Sequence, residues 1–247
     1  MINALVLAGN QPIKTWSNAM NKALLRINGK MMIDYVIDAL KVSYGIGKIV
    51  VVGFGSELRD SIKNKVDAFI ESNGTIMQNV LEGIKFLGFS DSILICTSDI
   101  PLITPEAISD FIKKAEALKV DLCYPIVEKK QNDRKFPEIE RTYVKMKEGT
   151  YTGGNIIFMN PSILEKGYEL AEKIVENRKN PFKIAHILSF GFMVRLMLGI
   201  LTIDKVEKKF SNLLGIKAKA VVSDYPEIGN DVDKPSDVII ASAHLSK

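Results

Sequence analysis

Short, continuously apolar runs alternate with segments of helical periodicity through the first half of the chain. Strand-like runs occupy residues 4–8, 48–53, 92–97 and 121–127. Helical spacing occupies residues 33–40, 76–87 and 105–118. Strands that are apolar along their whole length are typical of a parallel sheet covered on both faces. The pattern therefore predicts a three-layer α/β fold, in which a mixed, mostly parallel sheet carries helices on both faces.

The second half of the chain is less regular. Residues 128–140 are charged and polar, which predicts a loop, and residues 141–147 alternate as a strand does before a turn at Gly149. Later segments again predict strands and helices in turn, at residues 155–159, from 161 onward, at 218–223 and at 235–245. Because neither a repeat nor a linker interrupts the chain, we expect residues 1–247 to form a single domain.

The composition is that of an ordinary globular protein, with 47% hydrophobic and 25% charged residues. Its 33 basic and 29 acidic side chains leave a formal net charge of +4 without a basic stripe, so nucleic acid is not an expected partner. Cys96 and Cys123 lie in apolar runs without metal-binding spacing, and we expect both to be buried and reduced. Since no signal-peptide pattern follows Met1, we expect a cytoplasmic protein.

One long apolar segment, ILSFGFMVRLMLGILTI, occupies residues 187–203. A membrane-spanning helix takes about 20 such residues, and Arg195 stands near the middle of this shorter segment. We therefore expect no membrane span, but a buried helix whose one guanidinium faces a cleft or solvent. Contact with a membrane surface is the alternative, and an uncovered face of this helix would suit a homodimer.

Candidate ligand-binding residues follow two of the predicted strands. In open α/β sheets, ligands bind beyond the carboxyl ends of the strands. After the first strand, Gly9 and Lys14 would let backbone N–H groups and one positive charge approach a phosphate, with an ordinary turn as the alternative. After the strand at 92–97, Asp99 is followed by Pro101. An aspartate there suits a divalent cation that bridges phosphates, although aspartate is also common in turns.

Five motifs occur in a characteristic order: LAG at residues 7–9, KALL at 22–25, GK at 29–30, SDIPL at 98–102 and DVDKPSD at 231–237. In this order they resemble the nucleotidyltransferases of the GT-A-type, Rossmann-like fold. That group includes the MobA-like NTP transferases of the molybdenum cofactor and the sugar-nucleotide and methylerythritol-phosphate nucleotidyltransferases. The resemblance extends over nearly the whole chain and is looser between residues 128 and 225.

The resemblance implies an enzyme that transfers a nucleotidyl group from an NTP to a phosphorylated small molecule, releasing pyrophosphate, with Mg²⁺ as cofactor. Lys22 and Asp99 would be catalytic, and Asp99 would share the metal with Asp231 or Asp233. Further nucleotide contacts would come from the ends of the two strands, namely Leu7, Ala8, Gly9, Asn10, Lys14 and Ser98. Residues 1–127 would form the NTP-binding half and residues 128–247 the acceptor-binding half. Positioning and charge neutralisation carry most of such a reaction, so carboxylates and lysines suit it.

The glycine loop departs from the usual L-A-G-G pattern of these enzymes. Asn10 replaces the second glycine, and Lys14 stands where an arginine is usual. The segment before Lys22 is also about three residues longer, which the fold tolerates. A side chain at position 10 limits close approach to a phosphate, which motivates an alternative, a non-catalytic nucleotide-binding protein. A glycosyltransferase of the same fold is another alternative, although its usual D-x-D motif contrasts with the Ile100-Pro101 that follows Asp99.

Acceptor contacts are predicted in the second half of the chain. Arg141 lies in a polar stretch with further cations, and Gly153, Gly154 and Asn155 lead into a strand. Related sugar nucleotidyltransferases place a loop with asparagine and glycine against the acceptor at a comparable position. The glycines permit close backbone approach, and the Asn155 amide can donate and accept hydrogen bonds with hydroxyls. A hairpin turn with solvated charges is the alternative.

Overall fold

The computed structural model of the chain describes residues 1–9, 21–89, 91–177 and 181–246. Its strands are β1 (Ile2–Ala8), β2 (Arg26–Ile27), β3 (Lys30–Met31), β4 (Ile46–Gly53), β5 (Ala68–Glu71), β6 (Ile93–Thr97), β7 (Leu122–Glu128), β8 (Val144–Lys145), β9 (Thr150–Gly153), β10 (Ile156–Met159) and β11 (Ala218–Ser223). Its α-helices are α1 (Met32–Lys41), α2 (Ser56–Ile62), α3 (Ile76–Leu87), α4 (Pro105–Leu118), α5 (Lys129–Lys135), α6 (Ile163–Asn177), α7 (Pro181–Leu188), α8 (Phe190–Met197), α9 (Ile203–Leu214) and α10 (Pro235–Leu245). Short 3₁₀ turns lie at Lys22–Leu24 and Pro226–Gly229.

Nine strands of the described residues form one mixed sheet. Strands β5, β4, β1 and β6 lie side by side and are parallel, as are β7 and β11. β10 runs antiparallel between β6 and β7. β9 pairs with the far end of β7, and the short β8 pairs with β9, while β2 and β3 form a separate hairpin. The predicted mixed, mostly parallel sheet is confirmed.

Alternate residues of the central strands pack on opposite faces of this sheet. In β1, Ala4 and Val6 join a core with residues of α1, α2 and α4, whereas Leu5 packs with residues of α3 and α6 on the other face. Leu94 and Ile95 of β6 divide in the same way. Because both faces are buried, these strands are apolar along most of their length. The predicted three-layer arrangement is confirmed.

Local signals determine where several helices begin. Thr104 accepts a 3.2 Å hydrogen bond from the N–H of Ala107, and Pro105 occupies the first turn of α4, where its missing N–H has no helical partner to lose. Thr75 and Gln78 form a reciprocal capping box at the start of α3. The bounds of α3 and α4 agree with those predicted from the sequence, and so do those of β11 and α10.

The sequence predictions for residues 128–147 are partly wrong. The first part is not a loop, because Lys129–Lys135 forms α5, in which Asn132 is fully buried. Polar composition did not distinguish a surface helix from a loop here. Within residues 141–147, only Val144–Lys145 pairs as a strand, β8.

Residues 187–203 do not form one buried helix, so that prediction is also wrong. Ser189 interrupts the segment with a φ of 77°, between the end of α7 and the start of α8. Phe190 and Met197 are 75% and 81% exposed, and Arg195 faces solvent. Apolar composition predicted burial, but no described element of the chain covers this face of α8. No helix in the described part of the chain has the length and apolarity needed to cross a membrane.

Candidate active site

The residues that follow β1 and β6 meet at one edge of the sheet, because these strands are parallel neighbours. Leu7 is paired with Thr97, and the N–H of the buried Ser98 donates to the carbonyl oxygen of Leu7 at 3.1 Å. Gly9 and Asp99 therefore leave the sheet side by side. This edge is the candidate active site.

Asp231 and Asp233 reach the same edge from near the end of the chain. The N–H of Val232 donates a 2.9 Å hydrogen bond to the carbonyl oxygen of Asp99. The Val232 side chain is 3% exposed, in an apolar cluster that includes Leu102, and it anchors the segment. One carboxylate oxygen from each of the three aspartates lies within 4.8 Å of the others. The fold thus brings together the three residues that the sequence predicted as metal ligands.

Lys22 lies between two of these carboxylates. Its Nζ is 2.7 Å from Asp99 Oδ2 and 2.7 Å from Asp233 Oδ1, and its side chain is 13% exposed. Burial by itself lowers the pKa of Lys22, but the charge of Asp99 and the hydrogen bonds to both aspartates outweigh it, so the pKa is raised. Lys22 therefore carries a positive charge throughout the physiological pH range.

Asn21 holds the backbone of Lys22 in this position. Its Nδ2 donates to the carbonyl oxygens of Ala8 and Phe54, at 3.0 and 3.1 Å, and so joins the ends of β1 and β4. Its Oδ1 accepts from the N–H of Ala23 at 3.0 Å and caps the 3₁₀ turn that carries Lys22. The sequence analysis missed Asn21, although an asparagine directly before a short helical turn is a recognised capping signal.

Arg141 pairs with Asp231. Its Nη1 donates a hydrogen bond to Asp231 Oδ1, and the two side chains are 19% and 16% exposed. Burial raises the pKa of Asp231, Arg141 lowers it, and the like charges of Asp99 and Asp233 raise it again, with a net increase. Arg141 and Lys22 thus place two cations against three carboxylates. The acceptor contact predicted for Arg141 stays a prediction.

The aspartate cluster fits a hard divalent cation. Carboxylate oxygens are the ligands that Mg²⁺ prefers, and it commonly takes one or two of them together with phosphate oxygens and water. Asp99 Oδ1 is buried and has no hydrogen-bond partner among the residues that the structure describes, so it is available as a ligand. Asp99, Asp231 and Asp233 are the residues that would hold the metal.

The nucleotide contacts predicted after β1 fall only partly within the described residues. Asn10 and Lys14 lie outside them. Ala8 is buried at the end of β1, and a Cβ at Gly9 would lie 3.2 Å from Nδ2 of the buried Asn79 in α3. A side chain at position 9 would therefore require the Asn79 amide to move by a few tenths of an ångström, whether or not a phosphate approaches the Gly9 backbone.

Gly153 and Gly154 pack against β7. A Cβ at Gly153 would fall 2.3 Å from Tyr124 Oη, and one at Gly154 would fall 2.7 Å from Pro125 Cγ. Tyr124 Oη also donates a 2.9 Å hydrogen bond to the carbonyl oxygen of Gly154. Packing by itself therefore favours glycine at position 154, and a side chain at position 153 would displace Tyr124, neither of which the sequence analysis predicted. Their contact with an acceptor stays a prediction.

Asn155 lies against the end of β6, the strand that leads to Asp99. Its carbonyl oxygen accepts from the N–H of Thr97 at 3.1 Å, and its N–H donates to the carbonyl oxygen of Ile228 at 2.8 Å. It thereby joins the end of β6 to the turn that precedes Asp231. Asn155 Nδ2 and both side-chain polar atoms of Asn230 are buried without hydrogen-bond partners in the described part of the chain. Asn230 was missed because only the folded chain shows that it is buried here.

Carboxylates and a lysine grouped beyond the carboxyl ends of two adjacent parallel strands are typical of sites where α/β transferases bind nucleotides and metal-bound phosphates. The sequence-family model for the MobA-like NTP transferase domain matches residues 4–182 of the chain. The chain therefore belongs to that family. The family places the chain among the nucleotidyltransferases, as the order of its sequence motifs had predicted.

Solved structures share this fold. A hypothetical transferase from Thermus thermophilus is similar with a TM-score of 0.86 and 31% identity, over 96% of this chain and 99% of that one. CMP:2-keto-3-deoxy-manno-octonic acid synthetase complexed with CTP has a TM-score of 0.65 at 13% identity, over 99% and 98% of the two chains. The 4-diphosphocytidyl-2C-methyl-D-erythritol synthase of Anaerococcus prevotii DSM 20548 has a TM-score of 0.62 at 14% identity, over 100% and 96%. No curated protein matches the chain.

Proposed function

We propose that the chain transfers the nucleotidyl group of an NTP to a phosphorylated small molecule and releases pyrophosphate, with Mg²⁺ as cofactor. The observation that carries this proposal is the cluster of Asp99, Asp231 and Asp233 around Lys22, beyond β1 and β6. In this reaction an oxygen of the acceptor phosphate forms a bond to the α-phosphorus. The bond between the α-phosphorus and the oxygen that bridges to the β-phosphate breaks, and pyrophosphate leaves with that oxygen.

Each group in the cluster has a part in such a transfer. The three aspartates would hold Mg²⁺, which neutralises phosphate charge when it is bound. Lys22 would donate hydrogen bonds to phosphate oxygens as a compact positive charge. Ser98 and the backbone of Gly9 leave adjacent strands on the side where the nucleotide would lie. The reaction requires no covalent intermediate, so it needs groups of these kinds, which bind phosphate and neutralise its charge.

The acceptor would approach from the second half of the chain. We propose that residues 1–127 hold the NTP and that residues 128–247 hold the acceptor within one domain. Asn155 supports this division because it is hydrogen-bonded to Thr97 at the end of β6 and has a buried Nδ2 without a partner among the described residues. Such an amide can donate to a hydroxyl or a phosphate oxygen of the acceptor.

The proposed setting is the cytoplasm. Cys96 and Cys123 are both free and buried. Two unbonded cysteines are what a reducing compartment favours.

A pyrophosphate-release assay tests the proposed function. Each of the four NTPs is incubated with sugar phosphates and alcohol phosphates, with Mg²⁺ or with a chelator, and CTP is tried first because one structural neighbour binds it. We expect release with one preferred pair of substrates, and only when Mg²⁺ is present. Activity with a nucleotide-sugar donor but no NTP would instead indicate a glycosyltransferase. Nucleotide binding that does not depend on Mg²⁺, without release of pyrophosphate, would indicate a non-catalytic protein.

A further inference from the structure

Each carboxylate of the cluster already faces a cation of the chain itself. Lys22 Nζ lies 2.7 Å from Asp99 Oδ2 and 2.7 Å from Asp233 Oδ1, and Arg141 is paired with Asp231. A metal ion that used the oxygens bound by Lys22 would have to displace the ammonium, because metal and ammonium cannot share one small site. Two cations at contact distance also repel each other.

We propose that Lys22 is a built-in counter-ion that keeps bare divalent metal out of the cluster until an NTP draws the ammonium away. The inference rests on the proposed function, in which Lys22 contacts a phosphate. A triphosphate offers Lys22 an alternative anion, and Asp99 and Asp233 then become available to the metal that accompanies the nucleotide. Metal and nucleotide therefore bind cooperatively, each increasing the affinity for the other.

The exchange needs only a movement of the Lys22 side chain. The backbone of Lys22 is held by Asn21, whose Nδ2 bonds the carbonyl oxygens of Ala8 and Phe54. The turn is closed by the 3.1 Å hydrogen bond from the N–H of Leu25 to the carbonyl oxygen of Lys22. Lysine carries its ammonium on a flexible four-carbon stem, so the charge can move between the carboxylates and a phosphate while the turn stays in place.

This role differs in its consequences from that of a purely structural ion pair. If Lys22 only stabilised the fold and its carboxylate partners bound no metal, its removal would weaken the protein and leave its metal affinity unchanged. Removal of a competing cation exposes a cluster of like charges, and the affinity for bare metal then rises. Metal affinity without nucleotide therefore separates the two roles.

The test measures Mn²⁺ binding without nucleotide by the loss of the free-ion electron paramagnetic resonance signal. Lys22→Met is expected to bind Mn²⁺ at least about tenfold more tightly than the wild type, since one competing charge at contact distance is removed. Lys65→Met is the matched control, because it removes an equal charge from a 2.7 Å ion pair with Asp34, outside the cluster. We expect this control to keep the wild-type affinity.

A second measurement separates failure of this inference from failure of the proposed function. Calorimetry compares wild-type affinity for α,β-methylene analogues of the four NTPs in Mg²⁺ and in chelator. If nucleotide binding needs Mg²⁺ but Lys22→Met binds bare Mn²⁺ no more tightly than the wild type, the inference is overturned and the proposed function stands. If no analogue binds better with Mg²⁺ and the assay detects no pyrophosphate, both are overturned.

Thermal unfolding with and without metal tests the inference even if Lys22→Met is poorly folded. For Lys22→Met and Lys22→Gln, millimolar Mg²⁺ is expected to raise Tm by several degrees, against about one degree or less for the wild type. The inference is wrong if both variants stay unfolded in Mg²⁺ and Mn²⁺, or if their Tm rises no more than that of the wild type. Lys22 then serves only as the cation of a structural ion pair.

Discussion

The backbone N–H of Val232 donates a 2.9 Å hydrogen bond to the carbonyl oxygen of Asp99. This bond joins the end of β6 to a segment near the end of the chain. It places Asp231 and Asp233 on either side of an anchored, buried valine, where their carboxylates approach that of Asp99. The candidate metal site therefore depends on a backbone contact between distant parts of the sequence.

Asp99→Asn is expected to reduce pyrophosphate release by at least about 100-fold, because it removes a negative ligand from the cluster that would hold Mg²⁺. The measurement is the initial rate of pyrophosphate release with the preferred substrate pair. Asp60→Asn is the control, since Asp60 lies exposed on α2, and it should retain wild-type activity. Full turnover by Asp99→Asn would rule out Asp99 as a metal ligand.

Asn21→Ala is expected to lower the free energy of unfolding by about 1–3 kcal/mol, because the carbonyl oxygens of Ala8 and Phe54 lose their side-chain donor. Asn21→Asp should be at least as destabilising, since it keeps the acceptor for Ala23 but turns a carboxylate toward both carbonyl oxygens. Denaturant unfolding measures both variants. The exposed Asn64→Ala is the control, and an equal loss of stability there would contradict the assignment.

Arg141→Met is expected to lower the free energy of unfolding by about 1–3 kcal/mol, because the largely buried Asp231 carboxylate loses its cation. The double variant Arg141→Met, Asp231→Asn should cost less than the sum of the single variants. A double-mutant cycle by denaturant unfolding measures this coupling. For comparison, Lys85→Met breaks an exposed pair with Glu82 and should change stability by about 0.5 kcal/mol or less. An additive cycle for Arg141 and Asp231 would show that the pair contributes nothing.

Gly153→Ala is expected to destabilise the fold by about 1–3 kcal/mol, because its Cβ would collide with Tyr124. In a Tyr124→Ala background the same substitution should be tolerated. Unfolding measurements on the two pairs of variants test this packing role. If Gly153→Ala leaves stability unchanged but raises the KM for the acceptor, the glycine serves the acceptor rather than the packing.

The exposed apolar face of α8 supports the prediction that the protein forms a homodimer. Phe190, Val194, Met197 and Leu198 recur at helical spacing, so they share one face, and each is more than a third exposed. An apolar face of this kind commonly marks an interaction surface. Sedimentation of the wild type is expected to show a dimer that Met197→Glu converts to a monomer. A monomeric wild type would contradict the prediction, and the exposed Lys208→Glu on α9 controls for the change of charge.

Periodicity predicted the fold well where both faces of an element are buried. The segment that forms α3 has a capping box and a regular apolar stripe, and its predicted bounds agree with the structure. The prediction failed at α5, because this surface helix has too few apolar residues to show helical periodicity. It failed again at α8, because apolar composition records which residues are present and does not record whether another element covers them.

The candidate site was predicted residue by residue only where a motif marks it. The motifs singled out Lys22, Asp99 and the late aspartates, and the structure brings these residues together. The motifs did not reveal Asn21, whose contacts join chain segments that are far apart in sequence. They also did not show that Arg141 pairs with Asp231, because an ion pair depends on the path of the chain between its partners.

The sequence by itself determined the class of fold and the kinds of group available for chemistry, because apolar runs specify buried strands and ordered motifs specify the strand ends. Only the tertiary structure decided which groups face one another. Hydrogen bonding of Val232 to Asp99 and packing of Val232 bring three like charges within 4.8 Å of one another, a cost that Lys22 and Arg141 offset. That balance of charges depends on the distances between these side chains, and the order of residues along the chain does not specify those distances.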